Sequence, residues 1–460
     1  MSAPQIVWLR RDLRLADQPA LYAAAQAGAV VPVFVLDDAA AGDHSYGGAS
    51  RWWLHHSLES LDKSLGKHRS RIVLRRGDAA TQLARIAKET GASAIHAIRH
   101  YEPWWRKAQG ELKKALPDGC ELCLHDGNYL AEPGSVTTGS GGAYKIYTPF
   151  SKAVLERMPP RYELPAPEHI ASPDTWPKSD DLADWKLLPT KPDWAGGMRD
   201  FWDAGEAAAH DRLDEWAGDV ADYDAGRNLP SRDGSSRLSP HLHWGEISAV
   251  QVWHKLSGSR GKGWKTFEKE LIWRDYAQHV VCEFPDYPSR SYRDGYTGLW
   301  RTGKTAEADF AAWTRGQTGY PIVDAGMRQL WQTGWMHNRV RMIAASFLVK
   351  HLLIDWTRGE QWFWDTLVDA DYGNNGVNWQ WISGTGVDSN MFVRIMAPLT
   401  QSAKFDAAGY IRTYVPELAE LSDADIHDPP EGKRGEYPAQ IIGHREARER
   451  ALAAYRATKG

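Results

Sequence analysis

The sequence predicts two units of different class, an N-terminal α/β unit on a doubly wound parallel sheet and, after a long connector, an all-helical unit. Three observations carry this. Between residues 5 and 99, short apolar and partly β-branched runs alternate with helical periodicity, the pattern of parallel strands joined by right-handed crossovers. Residues 159–193 are rich in Pro, Asp, Ser and Lys and keep no period, as expected of a connector lying on the surface. Beyond Ala195, apolar positions recur at helical spacing almost to the end. The expected division is 1–130 for the α/β unit, 131–198 for the connector and 199–460 for the helical unit.

Residues 5–9 read as the first buried strand, followed by Arg10-Arg-Asp-Leu-Arg14 and a helix over 19–27. Strands are expected at 30–36, 71–74 and 94–99, with helices at 51–65 and 79–90 between them. In the second unit, helices are expected at 206–217, 247–256, 267–281, 322–334, 338–353 and 360–367, with a further helical segment at 439–457. Residues 367–381 are different. They hold Asp369, Asp371, Asn374, Asn375, Asn378, Trp379 and Trp381 with little periodicity, and a polar turn is expected, because Asn, Asp and Gly compete with or loosen helical backbone.

Composition narrows the function. The 460 residues carry a formal charge of −4, so the protein is not basic overall, although a local basic face is compatible with this. There are 23 tryptophans, which serve packing first but also suit stacking on bases and electron hopping. Three cysteines cannot build a disulfide framework, and Cys120-x-x-Cys123 has no second pair, so no metal or iron–sulfur site is expected. No Gly-x-Gly-x-x-Gly follows the first strand, which disfavours a dinucleotide-binding dehydrogenase. With no long apolar run, a cytoplasmic protein free of the membrane, and a monomer, is expected.

Four stretches carry chemistry. In the segment 222–245, the hydroxyls of Ser235, Ser236 and Ser239 beside the turn at Gly234 suit phosphates ahead of a helix, or equally a helix cap. In Phe267-Glu-Lys-Glu-Leu-Ile-Trp-Arg-Asp275, Glu270 and Trp273 fall three apart and share a helix face. Trp335-Met-His-Asn-Arg-Val-Arg-Met342 brings an amide, two guanidiniums and a thioether together. In 367–381, aromatic planes alternate with hydrogen-bonding groups, which suits a flat heterocycle with polar edges.

These motifs, with Trp8-Leu-Arg-Arg-Asp-Leu-Arg14 and Ile382-Ser-Gly-Thr-Gly-Val-Asp-Ser-Asn-Met-Phe-Val-Arg-Ile-Met-Ala-Pro398, resemble the photolyase/cryptochrome family over nearly the whole chain. The subgroup most resembled is the bacterial class I cyclobutane pyrimidine dimer DNA photolyases. The resemblance implies FAD held in the helical unit. Tyr223, Ser235, Ser236, Arg237, Leu238 and Ser239 would serve its pyrophosphate, with Phe267, Arg274, Arg341, Asp369, Asp371 and Asn375 also lining the cofactor. Asn375 would face flavin N5, and Arg341 would pair with Asp369. Trp273 and Trp381 would grip a flipped dimer, Glu270 would bond a thymine edge, and Asn338 and Met342 would contact the lesion. Arg227, Arg339, Arg394 and Lys404 would meet phosphates of ultraviolet-damaged DNA, single- or double-stranded. Trp379, Trp356 and Trp300 match a tryptophan chain that carries electrons to oxidised flavin.

The expected activity is light-driven repair of cyclobutane pyrimidine dimers by an electron from excited reduced FAD. His337 stands single before Asn338, unlike the histidine pair of (6-4) relatives, and plant sensors tend to have Asp where Asn375 stands. A cryptochrome-like blue-light sensor and (6-4) photoproduct repair are the alternatives. A second antenna chromophore, methenyltetrahydrofolate or 8-hydroxydeazaflavin, would lie near Arg99-His-Tyr-Glu-Pro103, the loop ending at Tyr147 and the helix at Arg51. Deazaflavin binders tend to have an acidic residue where this chain has His100. Phe267 replaces the usual Trp, and the spacing from Trp300 to Trp313 is longer than in relatives.

Overall fold

In a computed structural model, the chain is described over residues 3–259, 261–296, 298–389 and 392–458. Five parallel strands, β1 (Gln5–Leu9), β2 (Val30–Leu36), β3 (Val73–Arg76), β4 (Ala94–Ile98) and β5 (Glu121–His125), form one sheet in the order β3-β2-β1-β4-β5. Register runs Gln5 beside Val30 and Ala94, and Ala94 beside Glu121. The helices α1 (Pro19–Ala27), α2 (Gly48–Gly66), α3 (Ala79–Thr90) and α4 (Pro103–Ala115) cover both faces, so β1 and β2 are buried along their whole length. The expected doubly wound sheet is present. β5 and α4 were not expected. Burial explains the first omission: β5 is a half-exposed edge strand with Glu121, Cys123 and His125, and lacks the apolar run that marks the inner strands.

The strand order reverses between β1 and β4, and at such a switch point the carboxyl ends of the strands leave a crevice. Here side chains of the chain itself span the crevice. Arg11, just past β1, ion-pairs with Glu102 at the start of α4 and reaches across to Asp371 at 3.0 Å, which ties the sheet to the helical unit. The connector is strapped down rather than loose. Ala171 C=O accepts from Val30 N–H at 2.7 Å, Asp180 N–H donates to Leu74 C=O at 2.8 Å, and Ile170, Trp185 and Leu187 are buried beneath it.

The rest is helical, as expected. The longest helix, Lys262–Glu283, packs against Tyr372–Ser383, and the latter also against Trp356–Thr366. The polar turn expected over 367–381 is therefore a correction, since most of it is the helix Tyr372–Ser383. Asp371 caps its N-terminus by accepting from Asn374 N–H at 2.8 Å, and Gly384 ends it in the left-handed region. The glycines have a packing reason. A Cβ on Gly373 would stand 2.7 Å from Gln278 Oε1, and one on Gly376 2.6 Å from Pro288, so only glycine allows the close approach. Because this helix is buried nearly all round, it has no amphipathic period to read.

The segment expected helical over 338–353 is α-helical over Asn338–Ser346 and then widens into a π-helical turn, Phe347–His351. Near the C-terminus the helix is His444–Ala457. Asn390 and Met391 of the 382–398 motif lie outside the described residues. Among the described residues, no helix is long and apolar enough to cross a membrane.

Candidate functional site: a cavity in the helical unit

A cavity of about 430 Å³ opens among the Lys262–Glu283, Asn338–Ser346 and Tyr372–Ser383 helices and the Ser235–Ser239 loop. An adjoining space of about 160 Å³ shares Ser235, Arg237 and Trp335 with it. Of the residues expected to hold a cofactor, Tyr223, Ser235, Ser236, Arg237, Ser239, Phe267, Arg274, Arg341, Asp369, Asp371 and Asn375 all line the larger cavity. Leu238 does not. It is fully buried in the apolar cluster behind the loop.

The floor is built from pairs that are already complete. Arg341 grips Asp369 with two parallel bonds of 3.1 and 2.9 Å, and its Nε donates to Met336 C=O at 2.7 Å. Burial raises the Asp371 carboxyl, but the His243 hydrogen bond and the Arg11 charge outweigh it and hold the group well below the usual carboxylate range. Burial pushes His243 down despite the Asp371 carboxylate beside it, and its Nε2 has no partner in the protein. The Asn375 amide is oriented by a residue that the sequence reading passed over. Its Nδ2 donates to Glu360 C=O at 3.0 Å and to Glu360 Oε1 at 2.9 Å, which leaves Asn375 Oδ1 for the cavity. Glu360 is 1% exposed and is met from the α/β side by His44 Nε2 at 3.3 Å.

At the loop end, Arg212 holds the C=O groups of Ser235 and Ser236 at 3.0 and 2.8 Å. Their hydroxyls are thereby presented beside Arg237, which stands in the left-handed region (φ 53°) with a buried, unpartnered Nε. Such strain in a non-glycine residue costs on the order of 1 kcal/mol and persists where surrounding structure enforces it. Phe267 packs edge-on against Tyr223 at 5.2 Å and tilted against Trp216 at 4.6 Å, forming an aromatic wall. Arg274 is committed elsewhere, donating to Leu242 C=O at 3.1 Å and lying over the Tyr129 ring at 4.5 Å.

Glu270, Trp273, Asn338, Met342, Trp381 and Arg227 also line the cavity; Asn338 is exposed and Trp273 and Trp381 are half-buried. Arg227 is ion-paired with Glu270. Arg339 lies beside the cavity, hydrogen-bonded to Asn228 and over the Phe405 ring, while Arg394 and Lys404 are exposed. Trp379 and Trp356 are buried, at 3% and 0% exposure, and half-buried Trp300 packs on the same apolar cluster. The expected antenna residues are spread apart. His100 is buried near Asp12, Tyr101 Oη donates to Glu132, and Tyr147 stacks on Trp273.

Residues 5–169 match a family profile described as DNA photolyase, and residues 267–457 match the FAD binding domain of DNA photolyase. A deoxyribodipyrimidine photo-lyase of Agrobacterium fabrum is 46% identical, covering 100% of this chain and 98% of its own. The chain belongs to the DNA photolyase family. Cryptochromes are relatives too: cryptochrome-1 of Arabidopsis thaliana is 34% identical over 97% of this chain and 69% of its own length. Among solved structures, a bacterial class III photolyase from Agrobacterium tumefaciens superimposes with a TM-score of 0.95 at 46% identity, covering 100% and 98% of the two chains. An archaeal photolyase from Sulfolobus tokodaii with two FAD molecules gives a TM-score of 0.85 at 30% identity, covering 99% and 100%.

The cavity fits FAD on its own evidence. Hydroxyls and an unpartnered guanidinium nitrogen gather at one end, as a diphosphate requires, and a Cβ on Gly234 would come within 2.6 Å of Gly226, so the loop is as tight as its glycines permit. An aromatic wall and a fixed amide line the body, as a flavin ring requires.

Proposed function

We propose that the protein repairs cyclobutane pyrimidine dimers in DNA, single- or double-stranded, using light. One observation supports this most. The cavity lining combines two half-buried indoles, a carboxylate, an amide and a thioether, so a lesion with apolar faces and polar edges can enter the space that also takes the cofactor. Bound and reduced FAD, excited by blue or near-ultraviolet light, would supply one electron to open the dimer's ring bonds and would take it back afterwards. The protein's own part is to hold, orient and dry the partners. Arg341–Asp369 and Arg11–Asp371 keep charges fixed at the floor, so no dipole has to reorganise during transfer. Trp273 and Trp381 stack the flipped bases, and Glu270 accepts from a thymine edge once it parts from Arg227, which then turns to phosphate with Arg339, Arg394 and Lys404. Selectivity comes from the low cost of unstacking a lesion that already pairs badly.

Buried Trp379 and Trp356, with Trp300 nearer the surface, form the route by which electrons reach oxidised cofactor. The 46%-identical structural neighbour is a class III photolyase, and a protein of that type, rather than class I, suits this chain best. An antenna, folate or deazaflavin, and a monomeric cytoplasmic state complete the proposal.

The test uses purified, anaerobically reduced protein and oligothymidine strands carrying one cyclobutane dimer or one (6-4) product. Light-dependent restoration of the dimer strand alone is expected. Restoration of the (6-4) strand, or of neither, would replace this reading with (6-4) repair or with a light sensor.

A further inference from the structure

Tyr147 opens the helix Tyr147–Leu155, and its ring lies on Trp273 with centroids 3.6 Å apart and planes 5° from parallel. One face of the indole is thus covered by a phenol, which leaves the other face and the edges for the cavity that Trp273 lines. The stack is held on three further sides. Tyr147 Oη donates to Lys269 C=O at 2.9 Å, one turn before Trp273 on the same helix. Tyr276, fully buried, meets Trp273 edge-on at 5.4 Å and Tyr147 edge-on at 5.7 Å. The backbone N–H of Tyr147 donates to Asp388 Oδ2 at 2.8 Å. Asp388 precedes Ser389, whose hydroxyl donates to Trp381 C=O at 2.7 Å. One residue therefore touches the plane of the first tryptophan wall and, through two short bonds, the backbone of the second.

We propose that Tyr147 is a positioning residue for the lesion, fixing the plane of Trp273 and its distance from Trp381. This rests on the reading of the two indoles as the walls that hold the dimer. A lone, half-buried indole would turn about its side-chain torsions and lose affinity each time it is ordered by a ligand, whereas a stacked one meets the ligand already ordered. The effect is on binding, since Tyr147 is separated from the ligand space by the thickness of Trp273.

The experiment measures affinity for a single-dimer strand and for the undamaged strand, flavin content, and repair rate at saturating strand. The chains are the parent, Tyr147→Phe, Tyr147→Ala, Trp273→Ala and the Tyr147→Ala/Trp273→Ala double variant. From the usual worth of an aromatic pair, Tyr147→Ala should weaken dimer-strand affinity about 5-fold, with undamaged-strand affinity, flavin content and saturated repair rate unchanged. Tyr147→Phe keeps the ring and should stay near the parent. In the Trp273→Ala background the Tyr147→Ala loss should vanish, a coupling that a general packing defect would not show. If Tyr147→Ala loses flavin, Tyr147→Leu, which keeps apolar bulk over the indole, is read in the same cycle. Parental dimer affinity in these variants, an equal loss for both strands, or a loss that persists without Trp273 would overturn the proposal. A parent that binds both strands alike would instead remove the functional reading beneath it.

Discussion

Two parts of the cavity lining, the floor and the mouth, are built differently. At the floor, Asp369, Asp371 and Asn375 are at most 9% exposed, and each already has a protein partner: Arg341, Arg11 and Glu360. At the mouth, Asn338 and Asn378 are exposed, Trp273, Trp381 and Met342 are half-buried, and the Arg227–Glu270 pair is 20% and 30% exposed. Saturated, dry pairs suit a resident group that binds once, because they cannot relax when it arrives. Loosely held, partly wet groups suit a ligand that comes and goes, because their partners can be exchanged for it at small cost. The difference is the one that the proposed placing of the cofactor at the floor and the lesion at the mouth requires.

This contrast can be broken from the floor. Asp371→Ala removes the charge that faces buried Arg11 and the cap of the Tyr372–Ser383 helix together, and loss of one partner of a buried pair costs about 3–5 kcal/mol. Chemical denaturation of the variant should show that loss, accompanied by loss of flavin. The sign with pH follows from the direction of the shift. The folded pKa of Asp371 is depressed, so its contribution is present above the unfolded value of about 4 and is lost as pH falls towards the folded one.

Trp356→Phe acts between floor and surface. The residue is fully buried and donates Nε1–H to Ser291 at 3.0 Å, so the smaller ring should cost about 1–1.5 kcal/mol in stability. Photoreduction of oxidised flavin by an external thiol should slow severely, while repair by chemically reduced protein stays near normal. Flavin absorbance under continuous illumination checks the first and strand repair the second.

Asp275 provides the opposite case to Asp371 on a neighbouring helix. Burial pushes its carboxyl up to about 8, and its Oδ1 has no partner. The folded state therefore binds a proton that the unfolded chain releases near pH 4, and stability falls as pH rises from about 4 to about 8, by up to about 1.4 kcal/mol per unit. Asp275→Asn keeps an acceptor for Ala131 N–H and should flatten that slope in denaturation curves taken at several pH values. The smallest effect is expected at the rim. Lys404→Ala should lower the salt dependence of strand binding by about one unit of log–log slope and leave dimer preference unchanged.

Much of this was legible in the residues. The inner strands announce themselves as apolar runs because both their faces are covered, and the Ser235–Ser239, Glu270–Trp273 and Asn338–Met342 motifs each fell at one cavity. What stayed hidden depends on distant partners. The Tyr372–Ser383 helix owes its stability to packing at Gly373 and Gly376 and to Glu360 taking up the Asn375 amide, so local propensity pointed to a turn. Arg11 finds Asp371 across 360 positions, and Tyr147 finds Trp273 across 126, with no periodicity linking either pair. Both pairs join elements that only the assembled fold brings together.

The separation of floor from mouth is tested most directly by Glu270→Ala, because Glu270 lines the cavity yet touches none of the floor pairs. Bound flavin should remain at the parental level, while dimer repair per bound flavin at limiting strand falls by roughly 10-fold, the worth of one hydrogen bond to the lesion of about 1.4 kcal/mol. Unchanged repair per flavin, or loss of the flavin itself, would contradict the account.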